Sequence, residues 1–239
     1  MKSLIPVLAF SSLLLAAAPA FAQGSAAAQA WKQLEQDLGL QTVYSVDMVT
    51  QVNQTNLHSR MVRNGDKCRT ETEMPLFNIK IVTLEIPEGG KTVSYALFPD
   101  KKKYAVDEGA TEALAAAAPP QIEELGTETH EGVVCIKRRV TDVRKDFRNE
   151  MTILFSPDQK NMPVKMTMNA TMPYGSDAAG HAVQNVIVFK NYDFSTPDDS
   201  LFAIPADYVK ASSMTAVMRE CMPDLGAMPP PPQPPPPKE

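Results

Sequence analysis

From Val43 onward the chain follows a period of two. Tyr44, Val46, Met48 and Val52 alternate with Ser45, Asp47 and Gln51, the pattern of a strand with one apolar face. A polar break over 53–56 leads to a second run at 57–62. Asn64-Gly65-Asp66 then supplies a hairpin signal, because Asn-Gly accepts positive φ. Further strands are expected over 67–74, 78–86, 92–98 and 102–106, with Glu88-Gly89-Gly90 and Pro99-Asp100 as turns. Longer ones follow at 121–130, 133–143, 148–156, 162–172 and 183–194, joined through His130-Glu131-Gly132 and Ser156-Pro157-Asp158. Consecutive strands with short polar connections dictate an antiparallel meander of about 10–11 strands, an α+β fold once the helices are added.

The helical pattern is confined to a few places. Ala26, Ala27, Ala28 and Ala30 favour a helix over 25–39, Trp31, Leu34 and Leu38 recur at its spacing, and Gly39 stops it. Thr111 to Ala118 is an alanine-rich helical turn closed by Pro119-Pro120, and 173–181 is a small polar loop. Residues 211–228 form a short amphipathic segment. Residues 229–239 are proline broken by little else, and such a run is extended, solvated polyproline II.

The first 22 residues have a different character. Lys2 is followed by an almost wholly apolar run over 4–18, and Ala20-Phe21-Ala22 places small residues before Gln23 in the manner of a cleavage site. This is a secretory signal peptide, with the mature chain exported to a periplasm. The run is short for a bilayer span and no later segment replaces it, so the chain is not expected to span a membrane. The formal charge of −5 becomes about −6 once Lys2 leaves. That mild acidity argues against nucleic acid, whose phosphates reward a basic stripe.

In an oxidising compartment, three cysteines leave three possible pairings. Cys68–Cys135 is the favoured one, since both lie in strands while Cys221 adjoins the proline tail. A bridge to Cys221 would instead tie the C-terminal segment onto the domain.

The ending of the last strand is more specific. Phe189-Lys190-Asn191-Tyr192-Asp193-Phe194 is followed by Pro197-Asp198-Asp199-Ser200-Leu201-Phe202-Ala203-Ile204-Pro205-Ala206-Asp207-Tyr208. An aromatic pair, a short acidic turn and Leu-Phe-x-Ile-Pro-x-x-Tyr resemble the C-terminal signature of the LolA/LolB-like periplasmic lipoprotein-carrier superfamily, in a branch known as a domain of unknown function. The resemblance covers roughly 25–210, with about the last twenty residues specific, and assigns 23–210 to one half-barrel domain. It implies an open half-barrel with helices across the concave face, and an apolar hollow that holds acyl chains. No position matches the arginine with which the carriers latch their lid.

The residues themselves allow such a hollow. Met151, Ile153 and Phe155 line one side of a strand, Val164, Met166 and Met168 the next, and Met48 joins them from the first. Methionine, unbranched and polarizable, suits irregular apolar surfaces. Plain core beneath the helices explains the same stripe.

Candidate chemistry is sparse. His58, His130 and His181 are scattered, and no nucleophile elbow or phosphate-binding glycine loop occurs. No catalytic residue, metal or cofactor is assigned, and the chain is not expected to be an enzyme. Lys137-Arg138-Arg139, with Arg144, Lys145 and Arg148, forms either a positive patch or a solvated face neutralised by Asp142, Asp146 and Glu150. Met214, Met218 and Met222 recur every four residues beside Cys221, which suits either soft Cu(I) ligation or, more simply, a helix docking its Met face. The expected function is non-enzymatic binding of a lipid or another hydrophobic small molecule. The alternative is an envelope structural or interaction protein, with a filled barrel and a proline-rich tail that engages a protein partner.

Overall fold

The computed structural model describes residues 35–52, 55–75, 78–106, 121–144, 147–172 and 181–221. The expected leader, most of the helix over 25–39, the alanine-rich turn, most of the 173–181 loop and the proline tail lie outside the described residues. Twelve strands form one sheet: β1 (Val43–Val52), β2 (Thr55–Asn64), β3 (Lys67–Met74), β4 (Ile79–Glu88), β5 (Lys91–Phe98), β6 (Lys103–Val106), β7 (Gln121–His130), β8 (Val133–Arg144), β9 (Phe147–Ser156), β10 (Met162–Met172), β11 (His181–Asp193) and β12 (Val209–Lys210). Their order is β12-β6-β5-β4-β3-β2-β1-β11-β10-β9-β8-β7. All pairings are antiparallel except β12 with β6. β12 and β7 stand at opposite edges, so the sheet is open, as a half-barrel requires.

The alternation read from the sequence sets the two faces. Met48 lies opposite Phe189, Ile187 opposite Met166, Met166 opposite Ile153, and Met151 opposite Val140. We call the face that carries these side chains the inner face. Because the side-chain period is two, a slip of one residue would turn all of them outward. Local devices fix the register. Gly65 has φ 60° in the β2–β3 turn, as the Asn-Gly signal demands. Asn191 has φ 56° where the β1–β11 register shifts, and Asn tolerates that left-handed geometry better than most residues. Beyond this bulge the Tyr192 hydroxyl donates to the Pro163 carbonyl at 2.6 Å, and its ring stacks on Phe194 with centroids 5.7 Å apart.

The C-terminal signature wraps the β6 edge. Asp198 caps a 3-10 turn over Asp199–Phe202 by accepting from the Ser200 amide. Lys67 reaches Asp199 at 2.8 Å, and Arg69 donates to the Leu201 carbonyl at 2.9 Å. Phe202 is buried. Ile204 and Tyr208 pack on the outer-face cluster of Val82, Leu84 and Leu97. The chain then pairs as β12, through Val209 N–H to Lys102 O and Ala211 N–H to Tyr104 O. Past the edge it turns onto the inner face as helix α1 (Met214–Cys221), where Ser213 accepts from the Ala216 amide at its start. Val217 and Met218 of α1 pack against Met74, Ile79, Ala96 and Phe98, and Lys103 holds Glu220 at 2.7 Å.

Helical cover of the inner face, among the described residues, is limited to α1 at one end and a turn over 35–38 at the other. The expectation of several helices across that face is reduced accordingly. None of these helices is long and apolar enough to cross a membrane. The expected Cys68–Cys135 bridge is not formed, and all three cysteines are free. Cys68 sits on the inner face of β3 and Cys135 on the outer face of β8, with five strands between them. A disulfide needs Cα atoms within about 7 Å.

Phe202→Ala removes the side chain that anchors the strap and is expected to destabilise the fold by about 3–5 kcal/mol. The more exposed Leu201→Ala is expected to cost under about 1 kcal/mol. Urea unfolding of both variants measures the difference.

Candidate functional site

The inner face carries two kinds of surface. Leu40, Tyr44, Val46, Met48, Met61, Val140, Met151, Ile153, Phe155, Met162, Met166, Ile187 and Phe189 form one buried cluster. It crosses six adjacent strands, from β2 through β1, β11, β10 and β9 to β8. Five of the seven expected lining residues, Met48, Met151, Ile153, Phe155 and Met166, are therefore brought together, each no more than 4% exposed. Met168 is partly buried against the same cluster. Val164 departs from the group. The β9–β10 register shifts between Pro163 and Lys165, and Val164 instead lines a cleft of about 360 Å³ that shares Phe189 with the cluster and otherwise includes His130, Cys135, Asp158 and Lys190. That cleft also holds Glu131, whose carboxylate lies 3.7 Å from Lys190. Its mixed lining does not suit an acyl chain.

The second surface is polar and runs straight across the sheet. Tyr44, Arg63, Cys68, Glu85 and Ser94 are successive cross-strand neighbours on β1 to β5. Thr70 and Thr83 form the next line, and Ser59 and Thr72 the one after, with 2.9 Å between their hydroxyl oxygens. Alternation alone puts these side chains inward. Charge is concentrated in the first line. Arg63 is ion-paired with Glu35 of the 35–38 turn, both largely buried. Burial pushes Glu85 up to about 7, opposed by the nearby Arg63. Burial likewise raises the Cys68 thiol to about 12, which makes it inert as a nucleophile. The Tyr44 phenol is also raised by burial, and it donates to the Met61 sulfur at 3.6 Å.

The 35–38 turn spans this face between two arginines. Glu35 pairs with Arg63 on β2, while Asp37 lies 4.0 Å from Arg138 on β8. Leu38 and Leu40 pack on the apolar cluster between them. Sequence reasoning missed this arrangement. It grouped Arg138 with Lys137 and Arg139, yet alternation turns Arg138 inward and the other two outward. Lys137 pairs with Glu128, Arg138 also with Glu124, and Arg139 with Glu123 and Glu150. The expected neutralisation holds for these three, through β7 carboxylates as well as Glu150. The Arg144, Lys145 and Arg148 side chains lie outside the described residues.

The remaining candidates gather no chemistry. His58 is exposed on β2, and the His181 side chain lies outside the described residues. Among the described residues, no three His, Cys, Asp or Glu side chains are placed to hold a metal. The helix docks, but through Val217 and Met218 and not through a shared Met face, since Met214 is exposed. Met222 lies outside the described residues.

No protein-family model matches the chain, and no curated protein matches it. Several solved structures resemble its fold at low identity. An uncharacterised conserved protein from Thermus thermophilus is 13% identical, with 77% of this chain and 99% of that one covered at a TM-score of 0.48. A putative outer membrane lipoprotein-sorting protein domain from Vibrio parahaemolyticus is 10% identical, with 71% and 94% covered at 0.36. The lipoprotein LppX of Mycobacterium tuberculosis is 12% identical, with 72% and 97% covered at 0.37.

Glu85 gives the site a pH signature. A carboxyl whose folded pKa lies above its unfolded value keeps a proton that the unfolded chain has released, so stability falls as pH rises from the unfolded value to about 7. Glu85→Gln is expected to be more stable than the parent at pH 8, with the advantage shrinking towards pH 5. Urea denaturation at both pH values checks this.

Proposed function

We propose that the protein is a non-enzymatic periplasmic binding protein for an apolar ligand, an acyl chain or the lipid part of a lipoprotein. One observation carries this reading: a single methionine-rich cluster runs over six strands of one face of a sheet that does not close. Polarizable, unbranched side chains can shift rotamers to admit a chain of variable shape, which a core of β-branched residues resists. The described cover at that end is one helical turn held by ion pairs at both sides, with Leu38 and Leu40 beneath it. Such a cover can move aside without unpairing a strand. Met48, Met151, Ile153, Phe155, Met166 and Met168 are the proposed lining. The export signal read at 1–22 supports a periplasmic setting for this binding.

Mature protein is expected to retain lipid detectable by mass spectrometry after native purification. It is also expected to bind cis-parinaric acid saturably, with unlabelled fatty acid competing. Met168→Gln, at the margin of the cluster, is expected to weaken that binding by about tenfold, because a buried amide there lacks partners. Absence of both retained lipid and saturable binding overturns the proposal.

A further inference from the structure

The inner face is not uniformly apolar, and among the described residues its polar part holds more carboxyl groups than cations. Arg63, Cys68, Glu85 and Ser94 stand in one cross-strand line on β2 to β5, bordered by Thr70 and Thr83. Arg63 is already committed to Glu35. Glu85 lies two strands away, about 10 Å along the sheet, and makes no hydrogen bond or ion pair among the described residues. Among the described residues, the charged groups that face it are Arg63 from β2 and, through the Arg63 pair, Glu35 of the 35–38 turn; Cys68 from β3 and Ser94 from β5 are its uncharged neighbours. Among the described residues, one cation thus stands against two carboxyl groups in a largely buried place, where an unmatched charge is costly. The line directly adjoins the apolar cluster, since Tyr44 and Met61 belong to that cluster and Tyr44 is Arg63's cross-strand neighbour.

We propose that the ligand is an amphiphile with a protonated amine in its head group, the amine seated at Glu85 among the Thr83 and Ser94 hydroxyls and the chain lying along the methionine cluster. This deepens the lipid-binding reading and rests on it. The amine supplies the missing positive charge and donates charge-assisted hydrogen bonds to Glu85 and the hydroxyls. Arg63 is the wrong partner for such a head group and keeps Glu35 instead. An anionic amphiphile would have to displace Glu35 from Arg63, and a neutral one would leave Glu85 unmatched.

The test compares n-decylamine with n-decanol, chains of equal length, by calorimetry on the mature protein. At pH 8 the amine is expected to bind about tenfold more tightly than the alcohol. That ratio is expected to shrink towards one at pH 5.5, where Glu85 is protonated while the amine stays charged. In Glu85→Gln the ratio is expected to fall near one at both pH values. Glu88→Gln, the same charge removed from the exposed end of β4, is expected to keep the parent ratio. Equal affinities in the parent overturn the amine assignment alone, as does a ratio retained in Glu85→Gln or lost equally in Glu88→Gln. Failure of both probes to bind overturns the lipid-binding reading itself, and this assignment with it.

Discussion

An open sheet whose strands carry apolar side chains on both faces must cover both, and this constraint organises the molecule. Closure of a barrel would hide one face by curvature, but here β12 and β7 stay apart. Between β3 and β6 the outer face carries Val82, Leu84 and Leu97 while the inner face carries Ile79, Ala96 and Phe98. One continuous segment, 198–221, serves both. Its 3-10 turn and Ile204 and Tyr208 cover the outside, β12 pairs with the edge, and α1 covers the inside. Pairing β12 with β6 also occupies hydrogen-bonding groups that an exposed edge would offer to other chains.

The other half of the sheet is held differently. From β1 through β11 to β8 the inner face is the methionine-rich cluster, and its described cover is a single helical turn fixed by Arg63 and Arg138. Helix α1 is seated by the apolar contacts of Val217 and Met218, whereas the 35–38 turn adds ion pairs at both sides to the packing of Leu38 and Leu40. Buried ion pairs add little net stability but specify geometry, because breaking one leaves a charge unmatched. The Arg63–Glu35 pair, largely buried, thus fixes where the turn sits, while Asp37, 40% exposed, adds a weaker hold at Arg138.

Most of the strand pattern was legible because alternation is a local signal. The expected runs at 43–52, 67–74, 121–130 and 162–172 match β1, β3, β7 and β10; elsewhere the limits moved by a few residues. What escaped was whatever depends on contacts distant in the chain. The two-residue β12 has no pattern of its own and exists because β6 offers an edge. Arg63 and Glu85 look like solvent-facing charges in isolation, yet counting in twos from Met61 and Thr83 turns both inward. The same count separates Arg138 from Lys137 and Arg139. Val164 left the predicted lining because a bulge between Pro163 and Lys165 breaks the count, and Pro163, which cannot donate to the ladder, is the signal that could have announced it. The Cys68–Cys135 pairing failed for a related reason: strand membership says nothing about which face or which end of the sheet a thiol occupies.

The account turns on where an acyl chain lies. Photocrosslinking with a fatty acid that carries a diazirine near mid-chain, followed by mass-spectrometric mapping, locates it directly. The account predicts labels at Met48, Met151, Met166 and Met168. Labels confined to outer-face residues such as Leu84, Val134 or Val209, or none that competing fatty acid abolishes, would contradict it.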